Sequence, residues 1–216
     1  MTALSDQILA DNEGVLNAML GHRFVTGITD GTLPADVFHR YLVYEGGFVE
    51  TAISIFAFAT ARAPDLEAKR WLVDVQMALV REQMVYFNVS YAALGIDRAI
   101  PIPRAVMAFD RGMYAIAETG DFLKAATAMF AAEWMYWTWC SAAARTGIAD
   151  RHMRRWVELH ADDGFAAQAR WLKNAIDRYG APGDRAELSG LFGHVTRLEI
   201  GFHDAAFDPA PGEKHA

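Results

Sequence analysis

Residues 129–140 read MFAAEWMYWTWC, twelve positions holding three Trp, one Tyr, the only Cys of the 216-residue chain and a single charged side chain, Glu133. So apolar a run is not expected on a surface. It falls inside a longer stretch, about 121–146, bounded by Gly120 and Gly147, and is read as the middle of a buried helix. The same reading extends in both directions. Further helices are expected at about 5–21, 34–62, 64–95, 103–118, 149–160, 162–179 and 184–207.

The boundaries have local reasons. Ser5 is the expected cap of the first helix, and Thr32 that of the second, with Pro34 just inside, where its missing N–H costs nothing. Ala63-Pro64 ends that helix, because a residue before proline disfavours the α region. In the third, Leu66, Trp71, Leu72, Val75, Met77 and Leu79 recur mostly at three- and four-residue steps and define its expected core face. AIPIPRA (99–105) and YGAPGD (179–184) are the clearest breaks, and DPAPGEKHA (208–216) reads as a disordered tail. Alternating runs bounded by turn pairs are missing, so strands are not expected. The expectation is an all-α, single-domain helical bundle over 1–207.

Composition narrows the function. Apolar residues make up 53% and charged residues 22%, an ordinary globular balance. The net charge of −7 repels phosphate backbones, and no Lys/Arg cluster or basic recognition helix offsets it, so nucleic acid is not an expected partner. One Cys allows no internal disulfide and suits a reducing cytoplasm. The N-terminus lacks the basic-then-apolar pattern of a signal peptide, and no uncharged apolar run reaches about 18 residues, so a membrane span is not expected. Glycine loops for nucleotide phosphates, nucleophile elbows and zinc spacings are also missing.

Carboxylates in apolar helices are more informative, because an ionised acid is costly to bury without a partner. Glu45, Glu50, Glu133 and Glu199 stand out. Glu45 is followed by Gly46-Gly47, unfavourable inside a helix by about 1 kcal/mol each relative to Ala. Missing side chains there leave room for a second helix or for a ligand. Glu199 and His203 share a helix face at i,i+4, but no Glu-x-x-His pair of a di-iron centre occurs, so no metal or other cofactor is expected.

Three segments carry a resemblance. HRFVTGITDGTLPADVFHRYLVYEGGF (22–48), AAEWMYW (131–137) and TRLEIGFHDAAF (196–207) resemble, in order, the opening, central and closing motifs of the TenA, or thiaminase II, family. The resemblance runs from about His22 to Phe207. It implies a haem-oxygenase-like all-helical fold, a homo-oligomer (tetramer or dimer), and a small pyrimidine ligand. It also implies hydrolysis of 4-amino-5-aminomethyl-2-methylpyrimidine, released when thiamin decays, to ammonia and the hydroxymethylpyrimidine.

By the same resemblance, Glu45 stands where an acid binds the aminopyrimidine, Phe48 and Tyr114 where tyrosines line the pocket, and Tyr136 where a tyrosine donates a hydrogen bond. Glu199 matches the late acid that protonates the leaving amine, and His160 replaces a tyrosine. The nucleophilic Cys aligns with Ala132, which is the state of a branch thought to rely on glutamates. Cys140 lies eight residues on, about 12 Å along and about 80° around a helix, and is read as a core thiol. Glu133 shares a face with Tyr136 and is a candidate for catalysis or for tying helices together. The expected activity is therefore a Cys-independent, carboxylate-based deamination, with a non-catalytic ligand binder or regulator, or an oxidase on the same fold, as the alternatives.

Overall fold

The computed structural model describes residues 2–208, so positions 209–216 of the expected tail lie outside the described residues. The helices are α1 (Leu4–Asp11), α2 (Glu13–Leu20), α3 (Arg23–Thr29), α4 (Ala35–Arg62), α5 (Leu66–Ala78), α6 (Met84–Leu94), α7 (Arg104–Thr119), α8 (Phe122–Ala143), α9 (Arg151–Ala161), α10 (Asp163–Tyr179) and α11 (Arg185–Ala205). A π-helical turn, Leu79–Gln83, joins α5 to α6, and a 3-10 turn, Pro182–Asp184, leads into α11. No strand occurs among the described residues.

Helix α8 is the axle of the bundle, packed against α4, α7, α9, α10 and α11. Its alanines at 125, 126, 128, 131 and 132 are buried and let those neighbours approach its backbone, while Phe130, Met135 and Trp139 fill the spaces between them. The expected burial of MFAAEWMYWTWC holds for most of its length but not all of it. Trp134 and Trp137 are only half-buried, their rings covered by Lys173 and Arg170 of α10 at 5.9 and 4.9 Å.

Helix α4 is long and apolar enough to cross a membrane by length and composition, yet its buried side packs on α5, α7 and α8. Gly46 shows why its glycines are there. A Cβ at that position would lie 1.9 Å from the Tyr91 hydroxyl, which donates to the Leu42 carbonyl at 2.9 Å. The space left by Gly46 therefore belongs to α6. Gly47 faces open space.

Several boundaries differ from expectation. The first helix breaks at Asn12, whose side chain donates to the carbonyls of Ile8 (2.9 Å) and Ser189 (3.0 Å) and so ties α1 to α11. Ser5 lies inside α1 and binds Asp177 through both its N–H and its hydroxyl, rather than capping. Helix α4 begins after Pro34 with no side-chain cap, so Thr32 does not cap it. Four aspartates instead cap helices, Asp65, Asp121, Asp150 and Asp162, each accepting a first-turn N–H, an interaction typically worth about 1 kcal/mol.

The expected third helix is divided by the π turn. Its extra residue rephases α6 against α5. Within α5 itself the buried stripe is Ala68, Leu72 and Val75, so Leu66 and Met77, assigned to the core face, fall off it and are 60% and 41% exposed. The ends of that turn, Leu79 and Gln83, line the cavity described next.

Candidate active site

Three helices bring one acid each to the centre: Glu45 from α4, Glu133 from α8 and Glu199 from α11, which are 8%, 7% and 1% exposed. They line a chamber of about 60 Å³, together with Phe48, Phe109, Ala132, Tyr136 and His160. That is room for a few water molecules. Glu50, also singled out from the sequence, is exposed on the far side of α4 and takes no part.

At one end, both oxygens of Glu45 are engaged. The Trp156 indole N–H donates to Oε2 at 2.6 Å, and His160 Nε2 lies 3.2 Å from Oε1. His160 Nδ1 faces the Trp156 carbonyl at 2.9 Å, an acceptor only, so Nδ1 carries a proton and a second proton is shared between Nε2 and Glu45. Burial alone would depress the imidazole's pKa, but the hydrogen bond and charge of Glu45 outweigh it and raise it above the ordinary value.

At the other end, Glu199 is starved of such partners. Its Oε2 accepts from the Tyr136 hydroxyl at 3.3 Å, and Tyr136 in turn accepts from Tyr41 at 2.6 Å. That donor order follows because Tyr136 has one proton, directed to Glu199. Burial, reinforced by the negative charge of Glu45, pushes Glu199 up to about 8, with the Tyr136 bond pulling the other way. Glu199 is therefore a neutral acid near pH 7. His203 shares its face, but Nδ1 bonds to the Glu199 backbone carbonyl at 2.8 Å, and burial pushes the ring down to about 3.

Glu133 is intermediate. Gln168 donates to one of its oxygens, the other has no partner among the described residues, and burial raises the group to about 7. It stands between the chamber and a larger outer cleft of about 360 Å³, and Leu79, Gln83, His160 and Phe165 share that position.

Six of the seven residues picked from the sequence thus meet in one place: Glu45, Phe48, Glu133, Tyr136, His160 and Glu199. Tyr114 does not join them. It is 37% exposed on α7 and packs edge-on to Phe58, while its neighbour Met113 takes the inward position. One residue is about 100° of helix, and that is the size of the error. Cys140 is fully buried, lines neither cavity, and burial raises its thiol well above the ordinary value. The sequence reading missed Trp156 and Tyr41. Trp156 was findable, since it precedes His160 by four residues and shares its face. Among the described residues, no group of three or more His, Cys, Asp or Glu is arranged to hold a metal ion.

Comparison with known proteins fits this geometry to a family. The chain is 25% identical over 203 residues to an aminopyrimidine aminohydrolase of Halalkalibacterium halodurans, spanning 90% of this chain and 91% of that one. It is 24% identical over 163 residues to the aminopyrimidine aminohydrolase of Bacillus subtilis, spanning 72% and 68%. The solved TenA homologue of Pyrococcus horikoshii matches with a TM-score of 0.87 at 18% identity, over 95% of this chain and 99% of that one. A Shewanella denitrificans domain with a heme oxygenase-like fold matches with a TM-score of 0.73 at 12% identity, over 99% and 97%. The bundle is thus heme oxygenase-like, and residues 10–208 match the TENA/THI-4/PQQC family, to which this chain belongs.

Proposed function

We propose that the chain is an aminopyrimidine aminohydrolase of thiamin-pyrimidine salvage that works through carboxylates without a cysteine nucleophile. One observation carries this reading: two glutamates share a buried chamber, one bound by an imidazole and an indole N–H, the other held neutral near pH 7. The names of the relatives support the substrate class. Ala132, in the chamber wall at the place the resemblance gives to the nucleophile, supports the absence of a covalent step.

In this mechanism Glu45 receives the 4-amino group and the adjacent ring nitrogen through paired hydrogen bonds, and His160 supplies the counter-charge. Glu199 gives its proton to the 5-aminomethyl nitrogen as the carbon–nitrogen bond breaks, and ammonia departs. A water molecule bonds to the methylene carbon and returns its proton to Glu199, so the enzyme ends as it began. Tyr136, with Tyr41 behind it, positions Glu199. The chamber must widen to seat the ring, and Phe165 and Gln83 line both it and the outer cleft, so their displacement would join the two spaces. Glu133 is not required by these steps.

The test is ammonia release from the aminopyrimidine by the wild type, Glu45→Ala and Glu199→Gln. Turnover that both variants lose supports the reading. A wild type that binds the pyrimidine without releasing ammonia overturns it in favour of a ligand binder, the second reading that Ala132 favours.

We also propose self-association. Leu66, Val73, Met77 and Val80 follow one another at seven-, four- and three-residue steps on the outer face of α5 and the π turn, and Val85 and Val89 extend the exposed apolar surface along α6. A second copy of the chain is the occupant this surface suits. Val73→Lys/Val80→Lys should halve the mass measured by light scattering or reduce it further. A wild type that is already monomeric overturns the proposal.

A further inference from the structure

Two buried histidines are anchored in the same way and differ in one contact. His160 and His203 each turn Nδ1 to the backbone carbonyl four residues back, that of Trp156 at 2.9 Å and that of Glu199 at 2.8 Å. A carbonyl only accepts, so Nδ1 carries a proton in both rings. At Nε2 they part. In His160 this atom meets Glu45 Oε1 at 3.2 Å, whereas in His203 it has no hydrogen-bond partner among the described residues. A His203 cation would leave a charged N–H bare in the core, so the ring stays neutral, with its one proton on the side of Glu199.

The deamination steps make no use of this ring, and its place is a costly one for a histidine. His203 is fully buried and hemmed by Phe24, Tyr41, Tyr136 and Phe202, with ring centroids 5.1, 5.0, 5.7 and 6.0 Å away. A phenyl ring would fill the space with no unpaired nitrogen. What a phenyl ring would lack is the Nδ1 proton, and Nδ1 lies 3.7 Å from Glu199 Oε2. That is too far for a hydrogen bond at rest, and a shift of under ~1 Å would make one.

We infer that His203 is a positioning residue for the deamination: the Glu199 backbone carbonyl holds its Nδ1 proton while the carboxyl is neutral, and Oε2 shares it once the carboxyl has given its own proton away. The inference rests on the hydrolase reading for the step that strips Glu199; the contact itself does not. A cationic His203 would pair with Glu199 permanently and cost it its proton, and the bare Nε2 prevents this. The other groups facing the pair are already engaged. His22 accepts from the Phe24 N–H at Nδ1, so its proton is on Nε2 and is directed to Asp204. The Tyr41 and Tyr136 hydroxyls bind one another, and Glu45 opposes ionisation of Glu199. His203 lines neither cavity, so it acts on Glu199 without touching the ligand.

The test follows the carbonyl stretch of the protonated Glu199 carboxyl by infrared spectroscopy as pH rises. Each protein is compared with its own Glu199→Gln counterpart, so no substrate is needed. The wild-type band should fade around pH 8. In His203→Phe, which keeps a ring and removes both nitrogens, the midpoint should rise by about one pH unit, the effect of one hydrogen bond to a charged group. His203→Asn, whose amide can place an N–H where that of Nδ1 stands, should reverse at least half of the rise. If His203→Phe does not fold, His203→Gln takes its part, since that amide reaches the place of Nε2 and not of Nδ1. A midpoint that the donor-lacking variant leaves unmoved, or that Asn moves as far, overturns the inference. Where ammonia is released, the alkaline fall of kcat should follow the infrared midpoint, with kcat about tenfold lower in His203→Phe and pyrimidine affinity within about twofold of the wild type. A purely packing role would change stability or affinity without moving either midpoint. A wild type that releases no ammonia yet shows the infrared rise in the variant sinks the hydrolase reading alone, and ammonia release without that rise sinks this inference alone.

Discussion

The two ends of the chamber use the same amino acid for opposite purposes. Glu45 and Glu199 are both buried, and both sit mid-helix among aromatic rings. Glu45 has an indole N–H on one oxygen and an imidazole on the other, whereas Glu199 has one long bond from a tyrosine. The lesson is that burial does not by itself decide a carboxylate's charge. The donors that survive burial decide it, and here they divide one charge-bearing site from one proton-bearing site within a single cavity.

The contrast can be broken most severely at the charged end. Glu45→Ala should abolish detectable ammonia release and weaken pyrimidine binding by at least ~100-fold, as expected when a two-point charge-assisted contact is removed; titration calorimetry gives the second quantity. Glu199→Gln should lower kcat by ~10²–10³ while pyrimidine affinity stays within severalfold, the size expected for a general acid. Comparable losses of affinity in the two variants would erase the division of labour.

Milder changes sharpen it. Burial holds the Glu199 carboxyl near 8, against an ordinary value of 4.5, so its contribution to stability is complete below pH 4.5 and is lost as pH rises through about 8. Glutamine cannot ionise. Melting curves of Glu199→Gln should therefore run above the wild type by several degrees at pH 9 and nearly coincide with it at pH 5. Tyr136→Phe removes the bond that favours the charged form, so the alkaline fall of kcat should move to higher pH, with a loss of roughly tenfold in rate. Tyr114→Ala, outside the chamber, should leave kcat/KM within about twofold.

Much of this was legible in the sequence because it depends on local pattern. The breaks at Pro64 and AIPIPRA, the apolar run of α8, and the acids set in apolar helices each announce themselves within a few residues. What was not legible depends on partners far along the chain. Asn12 breaks the first helix because Ser189 is there to accept its amide, and Ser5 stays uncapping because Asp177 takes its hydroxyl. The buried stripe of α5 is Ala68, Leu72 and Val75, running on to Leu79, and Leu66 and Met77 each stand two residues, about 200° of helix, from a member of it, a phase that depends on which side of α5 meets α4. Gly46 offered two readings, and only the position of Tyr91 chooses between them. The pairing of Trp156 with Glu45 spans 111 residues and needed the bundle to reveal it.

Cys140 is the sole thiol in the chain and is fully enclosed by α8 and its neighbours. The protein therefore carries its own unfolding gauge. A thiol reagent can reach sulfur only during excursions that part the central helix from the bundle, so the labelling rate at a single natural site reports how often that occurs. Slower labelling with a pyrimidine bound would give the ligand's grip on the closed state without an engineered probe or an enzymatic assay.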